Sequence, residues 1–180
     1  GDFDSNVIIH EYAHGISNRL VGGPGVANGL QNMEQMGEGW SDFYGYMLTM
    51  NATNASSDRA IGNFLFDLGS AGGGIRNAPY STNLTTNPWT YSGVANTGQI
   101  SRPHGIGFIW ATMLYEMAQA LIIRDGFDPN LYTGTGGNNT AIKLVTEGLK
   151  LTPTSPGFVD GRDAILAADL ALNGGVNQCL

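Results

Sequence analysis

The segment VIIHEYAHGISNRL, residues 7–20, combines a helical pattern of apolar residues with two of the three histidines in the chain. From Ser5 to Leu20, apolar side chains recur with the 3.6-residue period of an α-helix, and the run Gly22–Pro24 ends the pattern. His10 and His14 are four residues apart, so they lie on one face of this helix, about 6 Å apart along its axis. A helix that only fills a core does not need two imidazoles there.

Two neutral imidazole nitrogens at this spacing suit a zinc ion. Glu11 lies roughly 100° around the helix from His10, so its carboxylate can hold and deprotonate a water beside the metal without binding the metal itself. This H-E-x-x-H arrangement is the signature of zinc metalloproteases. The alternative is that both histidines are buried helix residues and Glu11 is a surface charge. The pattern is rare in a chain with three histidines, which favours the metal site.

A catalytic zinc ion needs three protein ligands and one open position. The residues directly after His14 offer no ligand, and the third histidine, His104, lies far downstream. The segment MGEGWSD, residues 36–42, opens the next helical pattern, and we expect Glu38 to face back towards the histidines as the third ligand. Asp42 lies one helical turn after Glu38, where it can accept the second N–H of a metal-binding histidine. Taken alone, Glu38 would equally suit a carboxylate that complements a helix N-terminus.

The remainder of the chain alternates helical patterns with glycine- and asparagine-rich segments. These patterns predict one mainly α domain, residues 1–180, with a zinc-ligand helix pair, several packed helices and no linker or internal repeat. The predicted helices are Ser5–Leu20, Gly37 to about Met50, Asp58–Leu68, Gly105–Arg124, Asn139–Leu149 and Val159–Leu172. The run 69–102 contains turn-forming residues too often for a long element, so we predict a long irregular loop region there.

Composition limits the classes of protein to which the chain can belong. Lys and Arg number 8 against 15 Asp and Glu, which gives a net charge of −7 and argues against a nucleic-acid partner. No run approaches about 18 continuous apolar residues, so a membrane partner is not expected either. The single cysteine, Cys179, excludes an internal disulfide framework and a thiolate zinc cluster. Few basic residues with abundant glycine and asparagine favour a secreted protein.

Two further patterns leave alternatives open. Four N-x-[ST] sequons would accept glycans only in a eukaryotic secretory pathway, and otherwise they are ordinary polar loops. The sequons begin at Asn51, Asn54, Asn83 and Asn138. Calcium would suit acidic residues around Asp2, Asp4 or the segment 58–67, but oxygen ligands in loops are too common to predict a Ca²⁺ site.

Four blocks that span nearly the whole chain resemble one family of proteins. The segments HEYAHGISNRLVGG, GEGWSDF, HGIGFIWATMLYEM and FVDGRDAILAAD together resemble the C-terminal half of the catalytic domain of the fungalysin family of secreted zinc endopeptidases. That family is similar to the thermolysin-like proteases, a resemblance that implies His10, His14 and Glu38 as zinc ligands and Glu11 as the general base. It also implies a cleft between a β-rich N-terminal subdomain and a helical C-terminal one. We expect residues 1–180 to supply the helical subdomain and not the β-rich one.

His104, in the segment RPHGIGF, directly precedes a predicted helix. The resemblance implies that it stabilises the oxyanion of the tetrahedral intermediate, and the alternative is a helix-cap or loop residue.

The expected partners are extracellular protein or peptide substrates, and an N-terminal propeptide or upstream subdomain. Two other functions remain open: a zinc-binding segment with little activity because half of the cleft is missing, and an aminopeptidase of the same zinc architecture.

Overall fold

The computed structural model describes residues 1–69, 71–96 and 98–180. Within these ranges the fold consists of five α-helices and one 3-10 helix, and its only β-pairing is an isolated bridge. The α-helices are α1 (Ser5–Leu20), α2 (Gly37–Leu48), α3 (His104–Asp125), α4 (Gly137–Leu151) and α5 (Phe158–Asn173). The predicted mainly α class is confirmed, and α1 has the predicted bounds.

The N-terminus of α1 is fixed by a buried side chain. Asp4 caps the helix, since its Oδ1 accepts hydrogen bonds from the backbone N–H groups of Asn6 at 3.0 Å and Val7 at 3.4 Å. Its second oxygen accepts the N–H of Leu65 at 3.0 Å, which ties a distant loop to the start of the helix. The chain leaves the helix at Val21, which has an extended backbone. These contacts hold the helix that carries His10 and His14 in a fixed position.

Helix α2 lies between α1 and α3, and nearly all of its residues from Gly39 to Met47 are buried. The rings of Trp40 and Trp110 meet edge to face at 4.9 Å where α2 crosses α3. The two backbones also touch there, because a Cβ atom on Gly39 would lie 2.2 Å from the carbonyl oxygen of Gly107. This close crossing places the first turn of α2 beside the first turn of α3.

The predicted helix at Asp58–Leu68 is wrong. Gly62 and Asp67 have positive φ values of 80° and 52°, which a right-handed helix does not allow. Arg59 instead forms the isolated antiparallel bridge with Tyr80, with N···O distances of 2.9 and 2.7 Å. Ile61 of this segment is buried in the core, whereas four later apolar side chains face solvent: Phe64, Leu65, Phe66 and Leu68.

Among its described residues, the irregular region from 69 to 102 contains one regular element, the 3-10 helix at Tyr91–Ala95. Ser70 and Thr97 of that region lie outside the described residues. Its middle part packs against the helices, since Tyr80 is fully buried and Asn87 donates a hydrogen bond to Thr112 of α3 at 3.1 Å. A long irregular segment is therefore held close to α2 and α3.

Helix α3 is, within the described ranges, the one helix whose length of 22 residues and apolar composition would suffice to cross a membrane. Core helices of globular proteins pass the same test, and 72% of its most apolar window is buried inside the fold. It contacts both α2 and α4, so its apolar surface is covered by its neighbours.

Candidate metal centre and active site

Three side chains from two helices converge at the α1–α2 crossing. The Nε2 atoms of His10 and His14 on α1 lie 3.1 Å apart. Glu38 on α2 approaches both, with 3.2 Å from its Oε2 to His10 Nε2 and 3.7 Å from its Oε1 to His14 Nε2. Among the residues that the structure describes, this is the one group of three or more such side chains close enough to share a metal ion.

The spacing of these atoms suits zinc. Tetrahedral coordination with Zn–N and Zn–O distances of about 2.0–2.2 Å places neighbouring ligand atoms about 3.3–3.6 Å apart. The three separations of 3.1, 3.2 and 3.7 Å bracket that value. The side chains of His10 and Glu38 are 9% and 12% exposed and that of His14 is 29% exposed, so the group is closed at the back and open beside His14. Two imidazoles, one carboxylate and an open side match a catalytic zinc site.

Asp42 orients the first histidine. Its carboxylate is fully buried, and its Oδ1 lies 2.7 Å from Nδ1 of His10. Because a carboxylate only accepts hydrogen bonds, Nδ1 of His10 carries a proton and Nε2 faces the Glu38 side chain. This is the contact expected of Asp42 from its helical spacing relative to Glu38.

Arg76 and Tyr80 complete the site, and sequence reasoning missed both. Arg76 donates to Asp42 at 2.6 and 2.9 Å through Nε and Nη2, and Nη2 also lies 3.3 Å from Oε2 of Glu38. The buried hydroxyl of Tyr80 donates to Asp42 as well. Both residues come from the irregular region, which has no periodicity to indicate a face. The available signal was chemical: Arg76 is a lone cation in a glycine-rich run without acidic neighbours.

The other two predicted site residues lie at the edge of this group. His104 is the first residue of α3, and its Nε2 lies 3.4 Å from Oε1 of Glu38 with the side chain 59% exposed. Glu11 is exposed, and it borders a groove along the outer face of α1 with Tyr12 and Ile16. The structure therefore brings five of the six residues into one contact network and leaves Glu11 beside it, one residue after His10.

Comparison with known proteins identifies the family. The family model for fungalysin metallopeptidases (M36) matches residues 1–180. The chain belongs to the fungalysin family. It is 43% identical to "Extracellular metalloproteinase 2" of Trichophyton tonsurans and 45% identical to "Extracellular metalloproteinase mep" of Aspergillus fumigatus. Each match covers 99% of this chain and 29% of the relative, so the chain spans less than a third of the length of these proteins.

Charges within the fungalysin site are strongly coupled. Burial lowers the pKa of His10, but its hydrogen bonds to Asp42 and Glu38 outweigh burial and raise the pKa to about 9. Burial, followed by the charge of His10, lowers the pKa of His14. Burial raises the pKa of Glu38, and the contacts with His10 and His104 outweigh it and lower that pKa. The Glu38 carboxylate is thus held as an anion beside protonated His10, and a bound metal ion would take the place of that proton.

Asp42 is a buried charge that its partners keep ionised. Burial alone would raise its pKa, but the hydrogen bonds with His10 and Arg76 outweigh burial and lower it. Burial and the negative charge of Asp42 raise the pKa of Tyr80 well above its usual value, so the phenol stays protonated and donates. Asp42 therefore has a donor on each side and no unsatisfied oxygen.

An open pocket borders His14 and Glu38. Its walls are Leu30, Gln31, Gln35, Gly37 and Pro103, together with His14 and Glu38. These residues come from the α1–α2 loop, the start of α2 and the segment before α3. A substrate segment placed there would lie directly against the exposed edge of the His14 ring.

Proposed function

We propose that this chain is the helical part of a secreted, zinc-dependent endopeptidase that hydrolyses peptide bonds of extracellular proteins. The observation that carries the proposal is the convergence of His10, His14 and Glu38 at separations of 3.1–3.7 Å beside an open pocket. The relatives named as extracellular metalloproteinases support the same activity and destination. Because those relatives are more than three times longer, the activity belongs to the full-length protein.

Residues of this chain would hold one zinc ion. His10 and His14 supply neutral nitrogens and Glu38 an oxygen, while Asp42 and Arg76 fix the orientation of His10 and Glu38. When bound, the ion supplies Lewis acidity for the scissile carbonyl and for an attacking water. The remaining part of the cleft is expected from an upstream β-rich subdomain of the full-length protein.

Glu11 is the proposed general base. It removes a proton from the water that adds to the scissile carbonyl carbon. The same carboxyl then delivers that proton to the leaving nitrogen as the C–N bond breaks, so the base is regenerated. His104, whose exposed ring faces the Glu38 side, donates a hydrogen bond to the oxyanion that develops on the carbonyl oxygen.

The test uses the full-length protein and the Glu11→Gln variant. We expect one zinc per molecule in both, hydrolysis of internally quenched peptides by the parent, and loss of at least about a hundredfold in kcat in the variant. Glu147→Gln, on α4 with a half-buried side chain far from the site in sequence, is the matched control and should match the parent. Undiminished hydrolysis by Glu11→Gln would contradict the assignment of the base, and absence of stoichiometric zinc would contradict the metal site.

Peptides with blocked and free N-termini separate the two kinds of peptidase. An endopeptidase cleaves the blocked peptide internally, whereas an aminopeptidase requires the free amine. Cleavage restricted to free N-termini would replace the endopeptidase by the aminopeptidase of the same zinc architecture.

A further inference from the structure

The four sequons of this chain occupy different structural environments, and two of them form a clear contrast. Asn83 and Asn138 each begin an N-x-T sequence. A glycan needs the side-chain Nδ2 of the asparagine to be free and to face solvent, because the attached sugar is bulky and hydrophilic. The folded chain meets this requirement at one of these two positions and violates it at the other.

Asn138 is part of the fold. It is 1% exposed, and its Oδ1 accepts the backbone N–H of Asp128 at 2.9 Å. Its Nδ2 donates to the carbonyl oxygen of the same residue at 2.8 Å, so the amide pairs with both backbone groups of Asp128. This double contact joins the first turn of α4 to the loop that follows α3. A sugar on Nδ2 would have to leave this buried position and would break the contact.

Asn83 lies on an exposed turn. Its Oδ1 accepts the backbone N–H of Thr85 at 2.9 Å, and its Nδ2 bonds to no other described residue. Ser81 and Asn87 on either side are buried and hold the turn at its base. The side chains of Asn83, Leu84 and Thr85 all face solvent. A glycan at Nδ2 of Asn83 would extend away from the protein without breaking a contact.

The sequons at Asn51 and Asn54 do not form an independent pair. They begin three residues apart, and Oδ1 of Asn54 accepts the backbone N–H of Asn51 at 2.8 Å. A change at one therefore alters the other. Asn83 lies on a loop and Asn138 in the first turn of α4, so the two can be tested separately.

We propose that Asn83 is an N-glycosylation site of the secreted protein and that Asn138 stays unmodified as a structural amide. The inference rests on the proposed extracellular function, since a eukaryotic secretory pathway supplies the transferase and its lipid diphosphate oligosaccharide. Nδ2 of Asn83 forms a bond to the anomeric carbon of the sugar. The bond from that carbon to the diphosphate oxygen breaks, the lipid diphosphate leaves, and Nδ2 gives up one proton without any redox change.

The positions of Lys and Arg make the test direct. Trypsin, which does not cleave Arg102–Pro103, releases peptides 77–124 and 125–143, and each contains one sequon. The full-length protein is secreted from a eukaryotic host, treated with a peptide-N-glycosidase in ¹⁸O-water, and digested. We expect Asn83 to be converted to labelled aspartate in most copies and Asn138 in none. An unconverted Asn83, or a converted Asn138 in the folded secreted protein, would overturn the proposal.

Paired variants separate glycosylation from folding. Thr85→Ala removes the first sequon and should remove one glycan from the secreted protein without lowering its melting temperature. Thr140→Ala removes the second sequon and keeps the Asn138 amide, so glycan mass and secreted yield should equal those of the parent. Asn138→Gln should lower the secreted yield several-fold. A drop in glycan mass in Thr140→Ala would contradict the proposal even if Asn138→Gln does not fold.

The same samples are assayed for zinc content and peptide hydrolysis. An active, zinc-containing protein without a glycan at Asn83 would overturn this inference and leave the proposed function standing. A glycosylated protein without zinc or hydrolysis would overturn the proposed function and leave the glycosylation site standing.

Discussion

Gly107 on α3 packs directly against Glu38 on α2, since a Cβ atom on Gly107 would lie 2.5 Å from the Cβ of Glu38. The same atom would lie 2.6 Å from the backbone nitrogen of Gly39. Backbone atoms cannot move aside as a flexible side chain can, so there is no space for a Cβ atom at position 107. The backbones of α2 and α3 are in direct contact at this point. This contact places the third candidate zinc ligand within reach of both α1 histidines and of His104.

Gly107→Ala should therefore disturb both the fold and the metal site. We expect a loss of about 1–3 kcal/mol in the free energy of unfolding, because the added methyl forces the helices apart. Zinc affinity should fall as well, since Glu38 moves with α2. Thermal unfolding and competition with a zinc-binding dye measure the two effects. Gly25→Ala, where an added Cβ meets no atom within 4 Å, is the control, and equal behaviour of both variants would contradict the packing argument.

Arg76→Gln should lower the free energy of unfolding by more than a substitution in an irregular loop usually does. The change leaves the fully buried Asp42 carboxylate without its cation, and breaking a buried ion pair costs about 3–5 kcal/mol. Loss of the contact to Glu38 should also weaken zinc binding by about 10–100-fold. Arg162→Gln removes an exposed ion pair with Asp163 and should change stability by less than about 0.5 kcal/mol. Parent-like zinc affinity in Arg76→Gln would refute its positioning role.

Removal of the metal should reduce both activity and stability. A ligand that binds only the folded state at a hundred times its Kd stabilises that state by about 2.7 kcal/mol. Dialysis against a chelator should therefore abolish peptide hydrolysis and lower the melting temperature, and one equivalent of zinc should restore both. A His14→Ala variant should not respond to zinc. Hydrolysis that persists after the zinc content has reached zero would eliminate the metal-dependent mechanism.

Asp169 should make stability depend on acidic pH. Burial raises its pKa, but hydrogen bonds from Asn173 and Asn177 at the end of α5 outweigh burial and lower it. A carboxyl with a lower pKa in the folded state contributes stability above about pH 3.9, and that contribution is lost as pH falls through the folded pKa.

Asp169→Asn should then lower the free energy of unfolding by about 1.5–3 kcal/mol at pH 7. The difference from the parent should shrink as the pH falls below about 3.9. Chemical unfolding at several pH values measures this, with the exposed Asp163→Asn as control. A constant difference at all pH values would exclude charge as the origin of the effect.

Local patterns in the sequence predicted the main elements because helical period and capping are local properties. The bounds of α1 and the spacing of His10 and His14 follow from residues within a few turns of one another. The same reasoning failed at Asp58–Leu68, since Gly62 and Asp67 adopt positive φ and a distant partner, Tyr80, pairs with Arg59. The apolar residues alone did not reveal that the side chains of Phe64, Leu65, Phe66 and Leu68 are exposed.

The sequence by itself therefore indicated the candidate site residues and determined how two of them, His10 and His14, share a helix face. Only the tertiary structure decided that Arg76 and Tyr80 meet Asp42, because they come from a region without periodicity. It also decided that Asn138 is buried whereas Asn83 is exposed, although both carry the same tripeptide pattern. The physical reason is that burial and long-range hydrogen bonds depend on how distant segments pack together, whereas the sequence pattern of a segment reports only its local conformation.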